Sequence, residues 1–401
     1  MSRHAWDVIV VGAGPAGSTA AALLAQRGHR VLVLEKATFP RFHIGESLLP
    51  AGLPVLERLG VAADSDIFVM KRGADFVCEA SGRTGSFTFT DVLPGCGTHA
   101  WHVDRARFDT ALRDRAIACG AEVRHGQTVV DAGAVADEVR VKTRSATITG
   151  RFLIDASGQS RLLARRAGTA VPYRRFGAAS VFTHFTGVGS AAWEELGPGK
   201  NIRIMLRPEG WGWIIPLPNQ RLSIGMVAKR KITRKQLDAG LLESPLVKRL
   251  TAGTRRLPTR VVGNFSYRNT RAVGPRFAAI GDAACFLDPV FSSGVTLAMR
   301  GAEAVADLLG PALDGWHEGS PELCTAHDAS MDRAYRTFAG LIDRFYNSNF
   351  AESMFLGDPT GMPMRKGVMS VLAGDVWRTG NCFQDLLLSA RRRESDHGAR
   401  A

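Results

Sequence analysis

The stretch DVIVVGAGPAGSTAAALLAQRGHRVLVLEK, Asp7–Lys36, decides the fold. Asp7 to Val11 is β-rich and apolar, and Gly12-Ala13-Gly14-Pro15-Ala16-Gly17 follows at once. The pattern predicts a strand, a tight glycine turn, a helix from about Ser18 to Arg27 that stops at Gly28, and a second strand over Val31–Leu34. Gly12 makes the turn, Gly14 lets a pyrophosphate approach the backbone, and Gly17 lets helix and strand pack closely. Pro15 and Ala16 complete the loop at the helix N-terminus, where free N–H groups and a positive dipole face phosphates. Glu35, closing the second strand with Lys36 beside it, is placed for a ribose hydroxyl. A lone GxGxxG says little, but two strands, a helix and a terminal acid around it specify a dinucleotide site. From this stretch alone, NAD and FAD fit equally.

The whole chain sets wider bounds. Its 401 residues suffice for one large or two ordinary domains, and 45% hydrophobic with 22% charged residues is an ordinary globular composition. No signal-peptide pattern precedes the glycine motif, and no apolar run is long enough to cross a membrane. Six cysteines lie scattered without a CxxC, as free thiols in a reducing cytoplasm do, and no metal-ligand spacing occurs. The net charge of +13 raises nucleic acid as a partner. The arginines are spread, however, and the densest runs, Arg161–Arg166, Lys229–Lys235 and Arg391–Arg393, lack interleaved aromatics. Solvated surface is the plain reading, an acidic carrier protein the functional one, and nucleic acid is not expected.

Outward from the glycine motif, Phe39–Pro50 (FPRFHIGESLLP) cannot be regular helix, with Pro40 and Gly45 inside it. It follows the ribose acid directly, so Arg41 and Ser47 are candidate cofactor contacts. Trp101–Asp109 (WHVDRARFD) opens a helix that closes at Gly120. Ala121–Val123 and Gly126–Val129 return to the sheet, with Val129 or Val130 against an adenine, and Val139–Thr143 with Thr147–Phe152 predicts a hairpin. Phe152–Gly158 (FLIDASG) is a buried strand running into a glycine turn, which Asp155 either caps or uses to meet the cofactor. Trp211 and Trp213 in GWGWIIP alternate onto one face of a strand. Ala278–Ile280 reads as a buried strand ended by Gly281-Asp282, and DPVFSSGV (Asp288–Val295) leads into a helix.

Together FPRFHIGESLLP, the GxGxxG at its distance, GWGWIIP and the later blocks resemble the flavin-dependent halogenases, a branch of the FAD-monooxygenase superfamily. The resemblance covers nearly the whole chain. It implies an α/β fold: a Rossmann-type FAD-binding domain (1–65, 100–170, 272–312), an inserted mixed-sheet substrate domain (66–99, 171–271), a helical C-terminal region (313–390) and a disordered tail (391–401). It implies FAD delivered reduced by a separate flavin reductase, with O2 and halide consumed to make hypohalous acid. Lys71 matches the lysine between flavin and substrate; desolvated beside another cation such as Arg72, it would lose basicity. Arg105 matches an arginine reaching the cofactor phosphates, and Asp282 an acid bonding the ribityl chain. The Ser293, Gly294 and Val295 amides at a helix N-terminus face the flavin ring, and Ser293 with Gly294 are the halide candidates. Trp211 and Trp213 mark the passage between flavin and substrate, although paired core tryptophans would look the same.

Tryptophan halogenases carry a glutamate where this chain has Phe291. The resemblance is therefore closer to the branch acting on phenolic, pyrrolic or carrier-tethered aromatics of secondary-metabolite, including antibiotic, pathways. The expected activity is chlorination or bromination of an electron-rich ring through hypohalous acid relayed to Lys71. The alternatives are a monooxygenase (hydroxylase) using the flavin hydroperoxide directly, and a flavin-dependent reductase. Phe338, Phe345, Tyr346, Phe350 and Phe355 recur near helical spacing, as a core stripe does.

Overall fold

The structure is a computed structural model that describes residues 5–389 apart from 174–175, 178, 230–232, 264 and 358–363. The tail 391–401, expected to be disordered, lies outside the described residues.

Strand Trp6–Val11 lies inside a sheet, parallel to Val31–Leu34 on one side and Thr147–Asp155 on the other. Phe277–Ala279 extends that sheet beyond Thr147–Asp155, and Glu122–Arg124 extends it beyond Val31–Leu34. Alternation explains why the first strand is apolar throughout: Val8 and Val10 face one core cluster, Ile9 and Val11 another. The first cluster is covered by helices Pro15–Gln26, Arg105–Ala118 and Gly294–Asp314. The hairpin Val129–Val135 with Glu138–Thr143 covers the second. The first helix begins at Pro15 rather than Ser18. Proline's fixed φ suits the first helical position, where its missing N–H costs nothing.

The second large sheet is mostly antiparallel, in the order Arg255–Arg256, Ala179–Thr186, Arg221–Ala228, Gly210–Leu217, Ile202–Arg207, Gly73–Cys78, Arg83–Thr88. Helices Pro321–Asn347, Phe350–Phe355 and Arg365–Leu372 share its core: Phe76, Trp211 and Trp213 belong to one cluster with Phe338, Phe345 and Val368. Ile67–Phe76, expected as one strand, is two. Phe68–Lys71 pairs with Ala100–Val103, and Gly73–Cys78 joins the second sheet. The switch falls at Gly73, where a Cβ would sit 1.9 Å from the Phe87 carbonyl oxygen, so glycine permits an approach no other residue could. Among the described residues no helix is long and apolar enough to cross a membrane.

Candidate active site

The glycine loop is built on close approach. Gly12 has φ +102°, and a Cβ on Gly17 would meet the Gly12 carbonyl oxygen at 1.9 Å. Glu35 closes the loop from the second strand: Oε2 accepts from the Ala13 N–H at 2.7 Å and Oε1 from the Ala37 N–H at 2.8 Å. A carboxylate has lone pairs to spare, so these bonds leave acceptor capacity for a ribose hydroxyl. Lys36 Nζ donates to Ser160 Oγ at 3.0 Å, and Val129 packs at the edge of the Ile9–Val11 cluster. Arg41 reaches the loop, its Nη2 lying 3.4 Å from where a Gly14 Cβ would be. Its Nη1 pairs with Asp109 at 3.1 Å in a geometry that leaves this buried nitrogen without a hydrogen bond.

Arg105 is held from two sides. Nε and Nη2 fork onto Asp109, and Nη1 donates to the Ile44 and Gly45 carbonyls. Four of its five N–H donors are thus engaged, two by Asp109 one helical turn on and two by the segment after Arg41, which leaves one Nη2–H for a further acceptor. Asp155 caps its turn, accepting from the Ser157 and Leu163 N–H groups at 3.0 and 2.9 Å. Asp282, by contrast, makes no side-chain hydrogen bond among the described residues. Gly281 (φ +57°) packs against Ala16 and Ala298 and delivers Asp282 beside the glycine loop. Burial pushes the Asp282 carboxyl up to about 6, with Arg105 opposing that rise. Gly294 opens a helix at an exposed position with nothing within 4 Å of a Cβ placed there. Ser293 beside it is buried, and Val295 lies 3.8 Å from a Cβ placed on Gly45.

Lys71 ends strand Phe68–Lys71 and is 2% exposed. Nζ donates to Ser47 Oγ at 2.9 Å and to the Leu48 carbonyl at 3.1 Å, and it lies 5.4 Å from the centre of the Phe89 ring. Ser47, a candidate cofactor contact, thus accepts from the lysine and keeps its own O–H to donate. No carboxylate pairs with Lys71 among the described residues, and burial lowers its amine to about 7. Arg72 has no part in this: the next residue along points away, exposed at Gly199.

Trp211 and Trp213 lie 5.7 Å apart between ring centres. Trp213 Nε1 donates to Ser223 Oγ at 3.3 Å, and Trp211 Nε1 donates to Tyr346 Oη at 2.8 Å. Tyr346 passes the connection on, donating to Asp288 Oδ2 at 2.7 Å. Asp288 also accepts from the Gly177 and Val290 N–H groups, both at 3.1 Å. This relay ties the tryptophan strand, the C-terminal helices and the Asp288–Val295 loop together. Sequence reading placed Tyr346 in an apolar stripe; its hydroxyl, alone among those aromatics, was the available signal. Glu46 Oε1 and His184 Nε2, 2.7 Å apart, form a second polar link that nothing in the sequence pairs. Phe291 is core, edge-on to Phe345 at 5.6 Å.

The sequence model of the tryptophan halogenase family matches residues 7–97 and 90–374. The 1H-pyrrole-2-carbonyl-[peptidyl-carrier protein] chlorinase of Pseudomonas fluorescens is 30% identical across 94% of this chain and 91% of its own. The chain is a flavin-dependent halogenase. A second relative of this halogenase, the 1H-pyrrole-2-carbonyl-[peptidyl-carrier protein] brominase of Pseudoalteromonas luteoviolacea, is 31% identical over 77% of this chain and 78% of the relative. The solved flavin-dependent brominase Bmp2 superposes on the halogenase with a TM-score of 0.83, at 26% identity over 98% of this chain and 99% of the brominase.

Proposed function

We propose that this halogenase holds hypohalous acid at Lys71 and delivers its halogen, chlorine or bromine, to an electron-rich aromatic ring. The observation that carries the reading is a lysine 2% exposed, bonded only to neutral acceptors and lowered to about 7. Such an amine near neutrality can donate through Nζ–H to the hypohalous oxygen or accept the halogen on its lone pair.

FAD fits the residues present. The glycine loop, Glu35 and the under-bonded Arg41 would hold the pyrophosphate and ribose, Asp282 the ribityl chain, and the helix N-terminus at Gly294 the ring. Reduced FAD, with O2, supplies the oxidising power that turns halide into hypohalous acid. Ser293 and Gly294 are the proposed halide site. Arg105 acts here by fixing the Ile44–Gly45 backbone. The buried tryptophans wall the passage from ring to Lys71. The strands flanking Trp6–Val11 form the cofactor domain in this reading, and the sheet holding Trp211 forms the substrate domain. A separate flavin reductase supplies the reduced cofactor in a reducing cytoplasm. The aromatic is carrier-tethered: two relatives bear carrier-bound pyrrole in their names, and the +13 charge suits an acidic carrier.

The test gives the protein a flavin reductase, NADH, and free or carrier-tethered phenols and pyrroles, with and without halide. Products are examined by mass. A halogen isotope pattern that falls by at least ~10³-fold in Lys71→Ala is expected, the scale of losing a residue that acts on the reacting atoms. An oxygenated product indifferent to halide and to Lys71 would overturn the reading.

A further inference from the structure

We propose that His102 is a second catalytic residue of the halogenation, forming with Lys71 a two-point clasp for hypohalous acid. The inference rests on the Lys71 reading above. Strands Phe68–Lys71 and Ala100–Val103 pair antiparallel, with Val69 opposite His102 and Lys71 opposite Ala100. Lys71 and His102 are therefore diagonal neighbours on one face of the ribbon, a separation long side chains span. Ser47 joins them from the third side, bridging His102 through its backbone and bonding Lys71 through its hydroxyl.

The hydrogen bonds define what each group has left. His102 Nε2 lies 2.9 Å from the Lys200 carbonyl oxygen, which can only accept, so Nε2 carries the proton. In the neutral ring Nδ1 is then a bare acceptor, and it is buried without a partner. Neutrality is enforced by burial first and by the nearby charge of Lys71 second, both of which lower the imidazole well below its usual range. Lys71 as an ammonium has three N–H groups, of which Ser47 and Leu48 take two. One face of one ribbon thus holds a spare buried donor and an orphaned buried acceptor, the combination a small hydroxylic molecule satisfies.

Hypohalous acid is such a molecule. Lys71 Nζ–H donates to its oxygen, its own O–H donates to His102 Nδ1, and the halogen is left pointing outward. At transfer the carbon–halogen bond forms as the oxygen–halogen bond breaks. The departing hydroxide stays bonded to Nζ–H and combines with the displaced ring proton to give water, so no further oxidant or reductant is needed.

Two variants of the full chain separate acceptor from donor. His102→Gln keeps a nitrogen at the Nε2 position and removes the Nδ1 acceptor; His102→Asn places an oxygen at Nδ1. Reduced FAD, O2, chloride and the carrier-tethered aromatic that the parent enzyme halogenates are supplied, and two products are measured: chlorinated ring, and hypochlorous acid escaping to taurine in solution. His102→Gln should lose about tenfold in ring product, the scale of one hydrogen bond, with trapped acid rising in its place. His102→Asn should recover to within about threefold of the parent. His102→Met, which likewise has no acceptor at the Nδ1 position, stands in if the Gln form does not fold and is held to the same result. Ring product unchanged in the variant without an acceptor at the Nδ1 position overturns the clasp, as does an equal fall in both variants. Lys71→Ala run alongside keeps the two readings apart: chlorination surviving there refutes the role of Lys71 itself, whereas chlorination lost there but kept in His102→Gln refutes only the clasp.

Discussion

Lys71 and Asp288 are two ionisable side chains buried to the same depth, 2% and 1% exposed, and the fold treats them in opposite ways. Asp288 is wrapped in donors: two backbone N–H groups and the Tyr346 hydroxyl, itself backed by Trp211. Burial still lifts its carboxyl to about 6, with those donors holding the rise in check. Lys71 meets only a hydroxyl and a carbonyl, and nothing negative opposes the fall to about 7. A satisfied buried charge fixes architecture; an unsatisfied one stores reactivity. Asp288 belongs to the first kind and Lys71 to the second.

The largest effect that tests this contrast is a gain in stability. Burial depresses the folded-state value of Lys71 from 10.5 to about 7. A depressed value means stability present at high pH and lost as pH falls from the unfolded value through the folded one. Lys71→Met, similar in length and free of charge, should therefore stabilise the protein by ~2–5 kcal/mol at pH 7 while abolishing halogenation. The gain should shrink toward pH 10. Chemical denaturation at the two pH values measures it, and a Met variant less stable at pH 7 would mean that Lys71 is a satisfied group after all.

The opposite sign is expected at the other site. Tyr346→Phe removes a donor from Asp288 and orphans the Trp211 indole N–H, leaving two buried polar groups short of partners. The expected loss is ~2–3 kcal/mol at neutral pH, because unsatisfied buried groups bear their full desolvation cost. Urea unfolding checks it. A Phe variant as stable as the parent would remove the distinction between the two sites.

How legible each region was in the sequence follows from its physics. The glycine loop was legible because its pattern is compact: Gly12 turns at positive φ, Gly17 lies against the Gly12 carbonyl within the same loop, and Glu35 follows at the next strand end. The sheet around Trp6–Val11 followed from unbroken apolar strands. Lys71 could be picked out only through resemblance, since burial of a lysine depends on Phe89, Ser47 and Leu48 arriving from elsewhere. The bonds Arg105 makes to Asp109, Ile44 and Gly45 are not legible in the sequence, because two of these partners lie some 60 residues away in the chain. Tyr346 with Asp288, and Glu46 with His184, join positions 58 and 138 residues apart, and no local pattern encodes such pairings.

The smallest effect is the sharpest, because it asks whether neutral acceptors matter to Lys71 at all. Ser47 Oγ accepts from Nζ at 2.9 Å, and that bond strengthens when the amine is charged. Ser47→Ala deletes it while leaving the Leu48 carbonyl and the burial in place. The ammonium form loses more than the free amine, so the Lys71 value moves further down, by ~0.5–1 unit for a bond worth ~1 kcal/mol. The limb of the halogenation pH profile governed by this amine should shift to lower pH by the same amount. Its direction does not depend on which protonation state is the active one. A profile that stays in place would assign the basicity of Lys71 to burial alone and reduce Ser47 to a spacer; a shift upward would require an uncounted negative charge near Nζ and end the contrast with Asp288.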